Sequence, residues 1–296
     1  MAHRPITFGI SPTPYASDYS QIIEQALLAD RLGYELIGIQ DHPYQRRFLD
    51  TFSLIADLAA RTERVSFFPD VASLPMRGPV MMAKAAVSID VMSGGRFELG
   101  IGAGAFWDAL VGMGGPRRTP RESLAALEEA IAICRAAFDV GPEKRVVRGA
   151  GSHYPVPGYP GGPPPVHRIE IWVGAYRTRA LGLIGRLADG WVPSLGNLGP
   201  AGYREAAARL EDAIVAAGRE PGSIRRLYNV NGTITDGDVG EGPLDGPVEH
   251  WIETLARWVV ELNVDTFILW PPDSGTRDIE RFAAEIMPAL RRAVEG

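Results

Sequence analysis

Several features that would point to other classes of protein are scarce in this sequence. Its 296 residues include one cysteine, Cys134, so neither an intrachain disulfide nor a cysteine metal cluster can form, and we interpret Cys134 as a small core residue. No stretch reaches the roughly 18 apolar residues that a membrane span needs, and no long apolar segment follows the charges near the N-terminus. These absences predict a soluble, cytoplasmic protein without a membrane partner.

Charge of one sign is not concentrated anywhere along the chain. The 36 acidic and 30 basic residues give a formal net charge of -6 and are spread without a basic block. Because nucleic-acid surfaces are usually basic patches, nucleic acid is not expected as a partner. Metal-ligand spacings such as HExxH and the GxSxG nucleophile elbow are also missing, so the sequence predicts neither a metal site nor a serine hydrolase. A small molecule is the expected partner.

The most informative stretch is 65–115, in which a strand, a helix, a second strand and a glycine loop follow one another. Val65–Phe68 predicts the first strand, Pro79–Met92 has apolar residues at helical spacing, and Arg96–Ile101 predicts the second strand. Such a unit is typical of a parallel sheet, whose strands need long connections. The three alternating glycines that begin at Gly100 let the backbone approach something closely, which we interpret as a ligand at the carboxyl end of the sheet.

The same strand–helix unit recurs along the chain. Strands are predicted at Ile6–Ile10, Leu36–Gln40, Val65–Phe68, Arg96–Ile101, Ile169–Val173, Trp191–Leu195, Arg226–Ile234 and Thr266–Trp270. Eight such pairs favour a closed (β/α)8 TIM barrel over an open doubly wound sheet, in which six strands are usual. Because a barrel of about 250 residues is normal as one domain, we expect a single domain over residues 1–296.

Helix boundaries and one irregular segment complete this prediction. Ser17 or Asp18 is expected to cap the first helix, and Thr119 with Glu122 forms a capping-box pattern at the start of a long helix. The Gly- and Pro-rich run at about 141–168 is too irregular for a core element. We interpret it as an excursion with a short hairpin around Val146–Val156, inserted after the fourth strand–helix unit.

Four stretches carry a resemblance to a known family. They are the segment from Arg61 to Gly104, GIQDHPY after the second strand, PPPVHRIEIWVGAYRTRALGLIGRLADGWVPS through the fifth and sixth strands, and ELNVDTFILW at the eighth. Together they resemble the bacterial luciferase-like superfamily of flavin- and deazaflavin-dependent oxidoreductases, over nearly the whole chain. The resemblance implies a luciferase-like TIM barrel that holds FMN or the deazaflavin F420 at the carboxyl ends of its strands. One scaffold hosts monooxygenation, hydride transfer and reduction, so the reaction is not fixed by it.

The end of the second strand provides the first candidate catalytic residues, Asp41 and His42. Histidine can donate, accept or carry charge near neutral pH, and its acidic neighbour could fix its protonation. In deazaflavin-dependent relatives such a pair places the histidine close to the reacting carbon, which implies a catalytic role for both residues. The alternative is that His42 caps the strand through backbone contacts. Tyr44, two residues further on, is a candidate for the substrate pocket.

The resemblance places cofactor contacts at the ends of the third and fourth strands. Asp70-Val71-Ala72 matches a bulge, often with a non-proline cis bond, that presses against the central ring; the alternative is an ordinary strand end. Gly102-Ala103-Gly104 is a glycine loop that would contact the cofactor, or a tight turn, since it is not the full GxGxxG fingerprint. Beyond it, Trp107 is expected to wall the substrate pocket and Asp108 to act as an acid or orient the substrate. Sugar-phosphate-oxidising relatives have a Glu where this chain has Ala105, so that reaction is not expected.

The helix after the fifth strand provides a candidate phosphate site at Gly174-Ala175-Tyr176-Arg177-Thr178. Free N–H groups and the helix dipole favour an anion there, and FMN and F420 both carry a phosphate. For Arg177 the alternative is a solvated surface charge. Asn231 and Trp270, at the ends of the seventh and eighth strands, are expected to complete the substrate pocket. The other strand and helix tryptophans are interpreted as packing residues: Trp172, Trp191, Trp251 and Trp258. Among the remaining histidines, His3 and His250 are interpreted as surface residues, while His153 and His167 lie in or beside the excursion.

The sequence thus predicts an F420-dependent oxidoreductase that moves a hydride to or from a small organic substrate, with the preference for F420 resting on Asp41 and His42. The first alternative is an FMN-dependent monooxygenase that uses O2 and reduced flavin delivered by a separate reductase. The second is a catalytically silent barrel that only binds a cofactor or ligand. A homodimer is expected from the family.

Overall fold

The computed structural model describes residues 4–141 and 143–295, so that His3 lies outside the described residues. The strands are β1 (Thr7–Ile10), β2 (Leu36–Ile39), β3 (Ser66–Pro69), β4 (Ala72–Ser73), β5 (Leu99–Gly102), β6 (Val146–Ala150), β7 (Pro155–Pro160), β8 (Ile171–Val173), β9 (Gly190–Trp191), β10 (Arg225–Val230) and β11 (Thr266–Leu269). The helices are α1 (Tyr19–Leu32), α2 (Thr51–Arg61), α3 (Pro79–Ser93), α4 (Trp107–Gly112), α5 (Pro120–Phe138), α6 (Thr178–Leu187), α7 (Pro200–Ala216), α8 (Val248–Leu262), α9 (Arg277–Arg281) and α10 (Met287–Glu295).

A ring of parallel strands forms the centre of the molecule, which confirms the predicted TIM barrel. The strand order is β3-β2-β1-β11-β10-β9-β8-β5-β4. Because β3 and β4 are two parts of one strand, the ring has eight strand positions in the described residues. It is closed where Phe67 of β3 pairs with Phe97, just before β5, and where Ala72 pairs with Ile101.

Two layers of apolar side chains fill the barrel and the space around it. The inner cluster combines side chains from six strand positions: Leu36, Phe68, Trp172, Val192, Leu227 and Ile268. The outer cluster lies between strands and helices and includes Trp191, Trp251, Trp258 and Cys134. The packing roles predicted for these tryptophans and for the cysteine are confirmed.

Helix ends follow the local signals in the sequence at most positions. The Asp50 carboxylate caps α2 by accepting from Ser53 N–H at 2.9 Å, and Thr119 with Glu122 forms the predicted capping box on α5. Asp18 is the N-cap residue of α1, as one of the two predicted candidates, but its side chain accepts no hydrogen bond from the helix. Its carboxylate instead accepts from the hydroxyls of Ser17 and Ser274.

Three elements differ from the sequence prediction. The sixth strand is limited to Gly190–Trp191, and the short helix α4 was not predicted because it follows the glycine loop directly. The closing helix, expected as one continuous element at Asp278–Val294, is interrupted by a π-turn at Phe282–Ile286, between α9 and α10. These departures leave the order of strands and helices around the ring unchanged.

The excursion contains an antiparallel hairpin, β6 with β7, that lies on the outer helices. The Glu129 carboxylate of α5 accepts the N–H groups of Ser152, His153 and Tyr154, each at 2.9 Å. Lys84 of α3 donates to the carbonyl of Gly162 at 2.6 Å. The hairpin is therefore fastened to the outside of the barrel. Within residues 4–141 and 143–295, no helix combines the length and apolar character that crossing a bilayer requires.

Candidate active site

The predicted site residues follow the carboxyl ends of parallel strands, which meet at one rim of a barrel. His42 follows β2, Val71 lies between β3 and β4, Ala103 follows β5, and Tyr176 follows β8. Contacts join several of these strand ends. A Cβ on Gly102 or on Gly174 would lie 2.8 Å from Cγ2 of Val71, so the ends of the third, fourth and fifth barrel strands touch.

Asp41 is a buried structural anchor, with its side chain only 1% exposed. Arg77 donates to both carboxylate oxygens, at 2.8 and 2.9 Å, and Ser73 N–H donates to Oδ2 at 2.8 Å. Arg77 also pairs with Asp50. Because its oxygens are occupied in this way, the geometry argues against the catalytic role predicted for Asp41. It fastens the loop that carries His42.

His42 lies in a half-buried pocket of aromatic side chains. Its Nδ1 hydrogen-bonds the hydroxyl of Tyr44 at 2.5 Å, and its ring lies 6.3 Å from that of Phe48 and 6.0 Å from that of Phe106. Burial lowers the pKa of His42 below its ordinary value of 6.5, against the opposing charge of Asp41. Burial also raises the pKa of Tyr44 to about 12. The imidazole is therefore neutral at pH 7, which suits a hydrogen-bonding or proton-accepting group.

Phe106 is a site residue that the sequence analysis missed. It has a φ of 55°, in the left-handed region that bulky residues seldom adopt, and the residue is 64% exposed. Its ring lies against those of His42 and Tyr44. An aromatic residue directly after a glycine loop is the signal that could have found it.

The bulge after β3 contains the cis bond that the resemblance predicts, between Asp70 and Val71. The neighbouring glycines make room for this bulge. A Cβ on Gly100 would overlap the carbonyl oxygen of Pro69, and Cβ atoms on Gly102 and Gly174 would meet Val71. The close approach inferred at Gly100 and Gly102 is thus to the protein's own chain, and the cofactor contact predicted for Gly102 stays a prediction.

Asp70 is almost fully buried, and only one of its oxygens has a hydrogen-bond partner among the described residues. Asn229 Nδ2 donates to Oδ1 at 3.0 Å, while Oδ2 has no partner. Burial raises the pKa of Asp70 to about 6, although Asn229 and the nearby indole of Trp270 lower it. The Trp270 N–H does not reach hydrogen-bond geometry. This buried carboxyl therefore titrates close to neutral pH.

The start of α6 fits an anion. No side chain caps this end within the described residues, and its first turn has no acidic residue. Tyr176, Arg177 and Thr178 are exposed, as is Arg179, and neither arginine has an ion-pair partner in the part of the chain that the structure describes. Trp191 Nε1 donates to the carbonyl of Ala175 at 2.6 Å and fixes the preceding turn. Unpaired N–H groups and cations suit the phosphate predicted here.

Asp108 points away from this rim. Its side chain is 97% exposed and forms an ion pair with Arg117. This exposure argues against the predicted role of Asp108 as an acid in a closed pocket. Trp107 is partly buried beside the glycine loop, with its ring 3.1 Å from the position that a Cβ on Gly104 would take. Of the two predicted residues, only Trp107 lies against the loop.

A cleft of about 430 Å³ opens at the ends of the sixth, seventh and eighth barrel strands. It includes the two residues predicted for the substrate pocket there, Asn231 and Trp270. Its lining comprises Ser194, Gly196, Asn197, Asn229, Asn231, Gly232, Thr233, Asp245, Trp270, Pro271 and Pro272. Asn229 was missed, although residues two apart on a strand lie on the same face, so that it shares the inward face of Leu227 and Asn231.

The remaining titratable residues do not join the site. His167 lies at the opposite end of the barrel, and His250 is partly exposed beside Pro243. Among the described residues, no group of three or more His, Cys, Asp or Glu side chains is arranged to hold a metal ion.

Comparison with known proteins adds a family to this geometry. The sequence model of the family described as luciferase-like monooxygenase matches residues 5–238. An F420-dependent glucose-6-phosphate dehydrogenase from Microbacterium testaceum (strain StLB037) is 27% identical over 234 residues, which cover 76% of this chain and 68% of that protein.

Solved structures agree with the fold. An F420-dependent secondary alcohol dehydrogenase, in complex with an F420-acetone adduct, superposes with a TM-score of 0.85 at 15% identity, over 97% of this chain and 99% of that one. The long-chain alkane monooxygenase LadA superposes with a TM-score of 0.82 at 12% identity, over 98% of this chain and 92% of that one.

Proposed function

Because the chain belongs to the luciferase-like monooxygenase family, and is thereby a flavin- or F420-dependent oxidoreductase, we propose that it transfers a hydride between F420 and a small organic substrate. The observation that carries this proposal is the state of His42. Burial lowers the pKa of its imidazole below 6.5, its Nδ1 is bound to Tyr44, and its Nε2 has no partner in the described residues. A positioned neutral imidazole at the rim can exchange a proton with a substrate or with a ring nitrogen.

The residues at the rim fit a ring with a phosphate tail. Val71 is half-buried, and its side chain packs against Gly102 and Gly174. It offers an aliphatic surface on which a flat ring can rest. The uncapped start of α6 and Arg177 would bind the phosphate. F420, when bound, supplies the hydride chemistry, while the protein orients the reactants, excludes water and moves the proton.

The decisive experiment is cofactor titration followed by anaerobic turnover. Purified protein is titrated with F420 and with FMN, and the fluorescence of each cofactor reports binding. We expect tighter binding of F420, and turnover of a substrate panel with reduced or oxidised F420 without oxygen. Tighter binding of FMN, or a strict requirement for O2, would overturn the proposal.

A second candidate function is monooxygenation with reduced FMN, which the description of the family favours. The same rim would serve it, since both cofactors have a tricyclic ring and a phosphate. This function needs O2 and a separate flavin reductase as a partner. Oxygen uptake that matches substrate oxidation when reduced FMN is supplied would establish it.

The assembly and location belong to the same proposal. A homodimer and a cytoplasmic location are proposed for this chain by analogy with the family. A sedimentation measurement on the purified protein tests the dimer.

A further inference from the structure

Phe106 combines two features that seldom occur in one residue, a left-handed backbone and an exposed aromatic ring. Among the described residues, Phe106 and Asn263 are the two residues other than glycine that have a positive φ, 55° and 54°. Asparagine adopts this region several times more often than bulky residues do, so Phe106 is the outlier of the two. Phe106 is also 64% exposed. Because a glycine would reach the same conformation without steric cost, the aromatic side chain is accommodated at a cost to the backbone.

Core packing does not offset this cost. Phe106 is not a member of either apolar cluster of the described residues, and its exposure means that little of its surface is removed from water. Strained backbone positions concentrate at active sites and ligand contacts, where the surrounding structure holds them in place. The neighbours of Phe106 fit this description, since they hold its backbone and place its ring beside His42.

The backbone of Phe106 is fixed on both sides. Before it, a Cβ on Gly104 would lie 2.4 Å from Cγ of Pro75, so the glycine loop packs closely against Pro75. After it, the Phe106 carbonyl accepts from the N–H groups of Ala109 and Leu110 at 3.0 and 3.2 Å. Leu110 is fully buried and anchors this turn. The ring of Phe106 is therefore carried by a fixed part of the rim.

The rings of Phe106, His42 and Tyr44 form one continuous aromatic surface. The centroid of the Phe106 ring lies 6.0 Å from that of His42, at an interplanar angle of 86°, and 5.4 Å from that of Tyr44. The His42 and Tyr44 centroids are 5.5 Å apart. Because Phe106 is largely exposed, most of its surface is open to a ligand, and a group bound there lies next to the imidazole. Aromatic surfaces favour other aromatic groups, in stacked or edge-to-face arrangements.

We propose that Phe106 is a specificity-determining residue, which binds an aromatic or other planar apolar group of the substrate beside the His42 imidazole. The substrate is then an organic molecule that has such a group next to its reacting carbon, and Tyr44 extends the surface that receives it. His42 serves the reacting polar group. This inference rests on the proposed oxidoreductase function for its meaning as a substrate contact, and it deepens that function by naming a substrate class.

The test uses the full chain without added cofactor and three ketones that share a methyl carbonyl group. Acetophenone has a planar aromatic substituent, cyclohexyl methyl ketone has a non-planar apolar substituent of similar size, and acetone has neither. NMR titration of the His42 and Tyr44 ring signals gives each dissociation constant. We expect acetophenone to bind at least about tenfold more tightly than acetone and at least about threefold more tightly than cyclohexyl methyl ketone. Equal binding of acetophenone and either of the other ketones would overturn the proposal.

Two variants of Phe106 separate the effect of the ring from that of the backbone. Phe106→Leu keeps an apolar side chain and should remove the preference for acetophenone over cyclohexyl methyl ketone. Phe106→Gly should bring the dissociation constants of acetophenone and acetone within about threefold of each other. Its urea midpoint of unfolding should be unchanged or higher, because glycine adopts a positive φ freely, so the lost preference does not come from lost folding. An acetophenone-to-acetone ratio that Phe106→Gly leaves unchanged would overturn the proposal.

Asn263→Gly is the matched control, because Asn263 has the other positive φ and lies between α8 and β11, at the amino end of the barrel. This variant should leave all three dissociation constants unchanged. Phe106→Gly should keep its F420 affinity within about threefold of wild type. A larger loss would assign the ring to the cofactor and overturn the proposal. Because the ketone titrations need no cofactor, a wild type that fails to bind F420 would overturn the proposed function and leave the preference of Phe106 measurable.

Discussion

Asp41 and Asp70 follow neighbouring strands of the barrel, but their carboxyl groups differ in how many hydrogen-bond donors they have. Asp41 is paired with Arg77 and Ser73, whereas Asp70 has one amide donor and one oxygen without a partner among the described residues. A buried carboxylate that is fully paired serves as an anchor, while one that is half paired titrates within reach of neutral pH. The two residues therefore respond differently to substitution.

Asp70→Asn should change the pH dependence of stability. A carboxyl whose pKa is raised on folding favours the folded state at low pH, and this advantage is lost as pH rises through the folded pKa. The pKa of Asp70 rises from 3.8 to about 6; at about 1.4 kcal/mol per pH unit, the loss reaches about 3 kcal/mol. The variant keeps the hydrogen bond from Asn229 and avoids this loss. Its free energy of unfolding relative to wild type should rise by up to about 3 kcal/mol between pH 4 and 7.

Urea denaturation at several pH values measures this difference. If the two free energies of unfolding keep a constant difference between pH 4 and 8, the carboxyl of Asp70 is not shifted. Asp108→Asn is the control, because the Asp108 side chain is 97% exposed and its variant should follow the wild-type curve.

His42→Ala should remove the proposed proton-exchanging group. We expect kcat/KM to fall about 10²–10⁴-fold, the usual contribution of a general acid or base. Because burial lowers the pKa of His42, its NMR titration in the wild type should have a midpoint below 6.5. Activity should accordingly persist at pH 6.5 and fall only at lower pH. A titration midpoint above 6.5 would contradict the neutral state that the mechanism requires.

At the scale of elements, the bulge between β3 and β4 and the glycines around it form one packing unit. Gly174→Ala would place a Cβ 2.8 Å from Val71 Cγ2 and should cost about 1–3 kcal/mol of stability. Val71→Ala removes Val71 Cγ2. Gly174→Ala should therefore cost much less stability in the Val71→Ala background than in the wild type. Chemical denaturation of the four proteins gives the coupling energy.

Two further glycine variants test whether the loss of stability in Gly174→Ala comes from the contact with Val71. Gly100→Ala should be destabilising whether or not Val71 is shortened, because its Cβ would overlap the Pro69 carbonyl. Gly112→Ala is the matched control in α4, since nothing lies within 4 Å of its Cβ position. It should be neutral or slightly stabilising, as alanine favours helices. Equal losses at Gly112 and Gly174 would show that the bulge is not involved.

Helices and strands were predictable where the sequence signal lies within a few residues. Site residues were predictable only where they directly follow a barrel strand. Caps such as Thr119 act within a few residues, and the helix predicted at Pro79–Met92 is observed at Pro79–Ser93. The pairing of Asp41 with Arg77 joins residues 36 apart, and that of Asn229 with Asp70 joins residues 159 apart. The hydrophobic periodicity of the sequence gives no information about contacts between residues so far apart. The roles of these carboxyls therefore required the three-dimensional structure.

At the scale of the whole molecule, the two ends of the barrel have different chemistry. The carboxyl rim holds His42, the bulge and the cleft. At the amino end, His167 lies between the Asp90 carboxylate at 2.5 Å and the Glu98 carboxylate at 3.2 Å. Asp90 also accepts Val166 N–H at 2.7 Å, so this cluster joins the end of the excursion to α3 and to the start of β5.

His167→Gln should affect stability without affecting the rim. The hydrogen bond to Glu98, with the charges of Glu98 and Asp90, raises the pKa of His167 to about 9, although burial opposes it. A raised histidine pKa gives stability that is complete below the unfolded value of 6.5 and is lost as pH rises through about 9. Allowing for partial exposure, we expect the wild type to lose about 1–2 kcal/mol across this range, and the variant to lose none of it.

The separation of the two ends makes this prediction specific. Because His167 and His42 lie at opposite ends of the strands, His167→Gln should lower the denaturation midpoint at pH 7 while F420 affinity and kcat/KM stay within about twofold of wild type. His42→Ala should show the reverse pattern, with lost activity and a nearly unchanged midpoint, since its partly buried ring contributes little to the core. If both variants lost activity, or if both lost stability, the two ends of the barrel would be coupled. That result would contradict the independence of the rim from the His167 cluster.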